Sequence, residues 1–174
     1  MKTERVAIVA ALVACLSACS NGTSAALEPP NIVDATGLVE FHLPAGWEPL
    51  ASSEKSRFTP GGAEGQSAML AVVPEARDSN VDIETYWTRI KSVHLAQDRD
   101  LRHEARFTLD GFEVREGIFD TERNGQPAVY HDLYLFSETL QVNVHLNGTR
   151  EFHERRVDDL QTVARSVRAL GAAP

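Results

Sequence analysis

The stretch from residue 101 to 146 constrains this chain more than any other. Asn124-Gly125 lies between two long strand-like runs, Phe112 to Glu122 and Ala128 to Phe136. A two-residue type I′ turn needs positive φ at both central positions, and Asn-Gly supplies it at low cost. Upstream, Leu101, His103, Ala105, Phe107 and Leu109 alternate with Arg102, Glu104, Arg106 and Thr108, and Asp110-Gly111 turns that run into the next. Downstream, Ser137-Glu138-Thr139 leads into Leu140, Val142, Val144 and Leu146, which alternate with Gln141, Asn143 and His145. Period-two alternation broken by tight turns predicts an antiparallel meander of about four strands.

Two segments carry the helical period instead. Ile83, Tyr86, Trp87, Ile90 and Val93 predict an amphipathic helix over roughly 82–96, with Ser79 or Asn80 as its cap. Val157, Leu160, Val163, Ala164 and Val167 mark a second helix, capped by Thr149, closing with Arg165 and Arg168, and stopped at Gly171. Its acids (Glu151, Glu154) come early and its bases late, which complements the helix dipole. Ahead of these, Val39, Phe41 and Leu43 alternate as a half-buried strand that Pro44-Ala45-Gly46 ends. Arg57 to Thr59 forms a short strand, and Ala68 to Val73 is an apolar run suited to a central strand covered on both faces. The expected fold class is α+β, an antiparallel sheet with helices packed on it. Trp47 is expected as a core plug. Tyr130, Asp132, Tyr134 and Phe136 share one strand face, which is expected to lie under a helix rather than to form a partner surface.

Val39-Glu40-Phe41-His42-Leu43-Pro44-Ala45-Gly46-Trp47, a strand followed by Pro-x-Gly-Trp, and the closing Ala164-Arg165-Ser166-Val167-Arg168 together resemble the PsbP/DcrB-like proteins. That resemblance implies an α/β/α sandwich and an accessory or scaffold role.

The amino-terminal end carries a different signal. Lys2 and Arg5 precede the apolar stretch Val6 to Leu16, which is too short to span a bilayer. Leu16-Ser17-Ala18-Cys19 then resembles the lipobox of bacterial lipoproteins. The resemblance implies cleavage before Cys19 and a diacylglycerol on its thiol, so that Cys19 is a lipidation site and the bilayer a partner. Several acyl chains on one residue hold far more firmly than one, at about 0.8 kcal/mol per buried methylene. Ser20 rather than Asp after the cysteine resembles the pattern that sorts such proteins to the outer membrane. The expected organisation is a signal peptide over 1–18, a flexible tether over 19–35 rich in small residues with Pro29-Pro30, and a single domain over 36–171.

Signatures of chemistry are scarce. A net charge of −8 and a pI near 5.2 argue against nucleic acid. His103-Glu104 is followed by Phe107, and His153-Glu154 by Val157, where a zinc protease helix needs a second histidine. The six histidines show no metal spacing and read as surface or strand-face imidazoles. Gly65-Gln66-Ser67-Ala68-Met69 lacks the second glycine of a nucleophile elbow. Gly61 to Gly65 lacks the Lys-Ser/Thr of a phosphate loop. No catalytic residue, metal or cofactor is therefore expected. The function expected is that of a non-enzymatic envelope lipoprotein facing the periplasm that binds another protein, of identity unknown. Two alternatives stay open: an immunity lipoprotein neutralising a toxin delivered to the periplasm, and a binder of a small molecule or lipid.

Overall fold

A computed structural model describes residues 31–50, 56–61 and 68–171. Among these residues ten strands and two helices follow one another. They are β1 Asn31–Val33, β2 Val39–His42, β3 Trp47–Pro49, β4 Ser56–Pro60, β5 Met69–Ala76, α1 Ile83–Leu95, β6 Asp100–Leu109, β7 Phe112–Arg123, β8 Gln126–Phe136, β9 Leu140–Thr149, α2 Arg150–Ser166 and β10 Arg168–Ala169. The long strands form an antiparallel seven-stranded sheet in the order β3-β4-β5-β9-β8-β7-β6. The meander is its right half, and β5 joins it against β9. Asn124 and Gly125 adopt φ of 54° and 74°, as the type I′ turn requires.

One face of the sheet builds the main core. Leu70 and Val72 of β5, Val142, Val144 and Leu146 of β9, Leu133 and Leu135 of β8, and Val114 of β7 are all buried there. Leu160, Val163 and Ala164 of α2 pack on them, and Val39 and Phe41 of β2 close the layer. Each such side chain, fully buried, contributes about 1.5–3 kcal/mol. Helix α1 packs on part of the opposite face. The α+β class, and the layering with helices on an antiparallel sheet, agree with the sequence.

Several boundaries differ from expectation. The folded part does not wait until Thr36, because Asn31 to Val33 already pairs antiparallel with β2. The following turn is tied down by Asp34, which accepts hydrogen bonds from the backbone N–H groups of Thr36, Leu38 and Val39. Burial alone would raise the Asp34 pKa, but the Thr36 hydroxyl and these N–H groups together hold it below its ordinary value. Helix α1 is capped by Asp82, not Ser79 or Asn80; its carboxylate accepts from Thr85 N at 2.8 Å. The buried stripe of α1 runs through Trp87 and His94, while Val93 is 53% exposed. A bulge between Leu101 and His103 breaks the expected alternation of β6, so Leu101 pairs with Phe119 on the α1 face and His103 with Ile118 on the other. Helix α2 stops at Ser166, short of Arg168: Arg168 and Ala169 pair with Glu40 and Val39 and give the small sheet its third strand. Residues 1–30, with Cys19, the lipobox and most of the expected tether, lie outside the described residues. Among the described residues, no helix is long and apolar enough to cross a membrane.

Candidate functional site

The α1 face of the sheet is organised in transverse rows. Strand register aligns Arg57, Ala71, His145, Asp132, Gly117 and Glu104 directly across β4, β5, β9, β8, β7 and β6. One small residue in this row sets how α1 sits. Gly117 leaves the place that Trp87 of α1 fills, since a Cβ there would lie 2.7 Å from Trp87 Cη2. Seated there, the fully buried Trp87 donates its indole N–H to Glu104 Oε1 at 2.6 Å, and Lys91 reaches both oxygens of the same carboxylate at 3.0 Å. Tyr86 meets the rings of Tyr134 and Phe136 edge-on. As expected, then, the aromatic face of β8 lies under a helix.

About two turns beyond Trp87 on α1, His94 lies flat on Phe119, with ring centroids 3.9 Å apart and planes within 8°. Its Nδ1 is 3.2 Å from Arg99 Nη1, and Arg99 stacks on the Tyr130 ring at 3.6 Å. A guanidinium only donates, so His94 Nδ1 accepts and the imidazole proton sits on Nε2. That nitrogen lies 3.2 Å from Asp132 Oδ2. Asn143 Nδ2 donates to Asp132 Oδ1 at 3.3 Å, and His145 Nδ1 stands 3.9 Å from the same oxygen. Asn147 Nδ2 reaches His145 Nε2 at 3.3 Å.

Burial governs the charge state of this cluster. Desolvation pushes Asp132 up to about 7, against the pull of Asn143 and Arg99. It pushes His94 and His145 down to about 4, helped by the neighbouring guanidiniums. At neutral pH both imidazoles are therefore uncharged and Asp132 is only partly ionised. Asp132 Oδ2 and Asn143 Oδ1 are buried without a well-aligned hydrogen bond. For Asp132, the 3.2 Å approach of His94 is an off-line contact.

Helix α1 covers the β6–β8 side of this face and leaves the β5–β9 side open. Two hollows follow one another along the inward positions of β9. The larger, of about 490 Å³, is bordered by Asn147, Tyr130, Arg99, Gln97 and Met69. The smaller, of about 250 Å³, is bordered by Arg57, Tyr86, Tyr134, Gln141, Asn143 and His145. Together they form a polar trough along β9, with Tyr86 of α1 beside the smaller hollow, Arg57 at that end, and Arg99 and Arg123 at the other. The larger hollow falls within the size range of small-molecule pockets.

A second histidine pair lies on the core face. His131 Nδ1 is 3.0 Å from His153 Nε2, and His131 Nε2 is 2.7 Å from Glu116 Oε1. The His131 contact, outweighing burial, holds Glu116 below its ordinary value, while burial and then the charge of His131 push His153 to about 4. This set ties the first turn of α2 to the sheet and borders neither hollow of the trough.

The structure thus revises the expectation of surface or strand-face imidazoles: His94, His131 and His153 are buried. Their partners are far apart in sequence and come together only when the helices dock. Among the described residues, no three or more His, Cys, Asp or Glu converge to hold a metal ion. Trp47 is the core plug expected, 6% exposed, with its N–H on Asp159 at 2.8 Å and its ring edge-on to Phe152. Most of the Gly61 to Gly65 loop, with Gln66 and Ser67, lies outside the described residues.

No family model and no curated protein matches the chain. Solved structures do. A Bacteroides thetaiotaomicron protein superposes with a TM-score of 0.60 at 7% identity over 84% of this chain, which spans 50% of that protein's length. The cyanobacterial PsbP (CyanoP) of Synechocystis sp. PCC 6803 gives 0.58 at 15% identity over 87% of this chain and 98% of its own. LpqN, involved in cell envelope biogenesis of Mycobacterium tuberculosis, gives 0.58 at 10% identity over 75% of this chain and 82% of its own. At such identities the likeness is one of architecture, and it is consistent: this chain has the PsbP-like α+β fold.

Proposed function

We propose that this chain is an accessory module of the cell envelope, held to a membrane by acyl chains on Cys19, and that it binds a partner or ligand rather than transforming one. The observation that carries the reading is the trough beside α1. It has a polar floor, arginines at both ends and a volume suited to a ligand, and among the described residues no serine or cysteine borders either hollow. Its one imidazole among the described residues, His145, is held neutral by burial and meets the Asn147 amide at 3.3 Å, which suits a binding floor. The architectural likeness to LpqN, a protein of envelope biogenesis, supports the compartment. The Leu16-Ser17-Ala18-Cys19 lipobox supports the anchor and the periplasm-facing orientation, and Ser20 supports the outer membrane. The hollows also favour the second reading, a small-molecule binder, over a module that works through flat protein contacts alone.

The anchor is tested by intact mass and fractionation. The expected result is a purified chain that begins at Cys19 with added hydrocarbon mass, is recovered with membranes, and becomes soluble on Cys19→Ala. A bare thiol, or a Cys19→Ala variant still bound to membranes, contradicts it.

A further inference from the structure

The geometry points to Arg99 as the anchor of a carboxylate-binding site in the larger hollow of the trough. The inference rests on the trough being the binding surface, but not on the lipid anchor. Arg99 follows α1 and is positioned by an apparatus that its own charge does not explain. Its guanidinium is stacked at 3.6 Å on Tyr130, and one nitrogen is fixed at 3.2 Å by His94. His94 is itself clamped between the Phe119 ring and Asp132. Tyr130, Asp132 and Phe119 stand on the sheet, so the fork is oriented by the rigid core of the fold.

No carboxylate among the described residues pairs with this fork. The chain carries 25 Asp and Glu and a net charge of −8, so acids to pair with it are plentiful. Arg115 takes two, Glu84 and Glu113. Arg102 and Arg150 share Asp120. A guanidinium has five N–H donors in a planar fork. Among the described residues only one nitrogen of Arg99 is engaged, and Arg99 borders a hollow of about 490 Å³. The buried group behind it, Asp132, is partly protonated at neutral pH and leaves the charge largely uncompensated.

The rest of the border narrows the ligand class. Asn147 and Gln97 offer amide groups, and Met69 offers an apolar wall. Glu122 and Arg123 stand together at the same hollow with opposite charges, so Arg99 supplies its net positive charge, which suits a single negative charge. A monoanionic carboxylate on a small, partly apolar body fits best. It would accept the paired N–H groups of Arg99 side by side. The same chemistry arises from a free organic acid or from an acidic side chain of a peptide.

The test uses the full chain in detergent, followed by NMR of side-chain N–H groups. Benzoate is the probe, benzamide its uncharged isostere, and an acidic tetrapeptide the alternative source. Benzoate is expected to shift the Arg99 Nε–H and Asn147 amide signals saturably, with a Kd of about 1–10 mM, the range one charge-assisted contact sustains. Arg99→Gln weakens this at least about tenfold, and Arg99→Lys about fivefold, because lysine keeps the charge and loses the fork. Benzamide does not bind. Tighter binding of the tetrapeptide assigns the site to a protein carboxylate, and tighter binding of benzoate to a free acid; either supports the inference. Equal affinity for benzoate and benzamide, unchanged affinity in Arg99→Gln, or no saturable shift in the wild type overturns it. The wild-type titration and Arg99→Lys decide the matter even if Arg99→Gln fails to fold. If benzoate fails while crosslinks from the trough rim still form, the carboxylate claim falls and the trough remains the binding surface.

Discussion

Replacing Gly117 by alanine isolates the contact that seats α1 on the sheet. Gly117 lies in extended β7, so alanine suits the backbone and by itself would stabilise the strand by roughly 0.5–1 kcal/mol. Space decides against it. The new Cβ would meet Trp87 Cη2 and Phe119 Cε2, both at 2.7 Å, and Phe119 Cζ at 3.0 Å. Carbon pairs prefer about 3.5–4.0 Å, and neither ring can swing away. Trp87 is fully buried and bound to Glu104, and Phe119 is fully buried beneath His94. Overpacking of this kind costs about 1–3 kcal/mol, and two such contacts place it near the upper end. The net expectation is a loss of about 2 kcal/mol, or about 4–8 °C in Tm for a chain of this size. Urea unfolding at neutral pH, with unchanged m, reads it directly. In a Trp87→Phe background, which removes Cη2, the cost falls to about 1 kcal/mol, the Phe119 contact remaining. A Gly117→Ala chain as stable as the wild type would show that α1 does not sit on this row.

Other outcomes follow from the same contacts. Gly125→Ala meets nothing within 4 Å but must keep φ at +74°, so it loses about 1 kcal/mol through backbone strain alone, read by the same unfolding curve. Trp47→Phe removes the indole N–H to Asp159 and lowers stability by about 1–2 kcal/mol. His94, His145 and His153 titrate near 4 in the fold and near 6.5 unfolded, so the unfolded chain binds more protons between those values; their contribution is lost as pH falls from about 6.5 to 4. Ring NMR at pH 5.5 should find all three neutral, and one titrating near 6.5 would contradict its burial. Asp132 works in the opposite sense: its pKa is raised to about 7, so the native carboxyl costs stability as pH rises from about 4 to 7. Asp132→Asn should therefore gain in Tm relative to the wild type across that window and hold the gain above it; a flat difference would refute the assignment.

The meander was legible because its turns are local chemistry. Asn124-Gly125 and Asp110-Gly111 take the positive φ that their residue types favour. Period-two alternation also told that Asp132 shares a face with Tyr130 and Tyr134, and that Gln141, Asn143 and His145 line a polar face of β9. Which of these side chains meet was not legible. The His94–Asp132 and His131–His153 contacts depend on where α1 and α2 dock, and no spacing encodes that. The bulge in β6 inserts one residue without a glycine to announce it. Strands β1, β3 and β10 have two or three residues, too few for any period to show. Their pairing is set by the open edges of β2 and β4. Arg99 lies in the short turn between α1 and β6, where no sequence pattern marks it. Its role emerges when Tyr130 arrives beneath it from β8.

The place where a partner touches the chain is the central test. Site-specific photocrosslinking in intact cells tests this directly, with the reactive side chain placed at Gln97 on the trough rim or at Asp158 on the outer face of α2. The account predicts adducts from Gln97, their loss on Arg99→Gln, and none from Asp158. Adducts from Asp158 with none from Gln97 would move the binding surface to the other side of the molecule and contradict it.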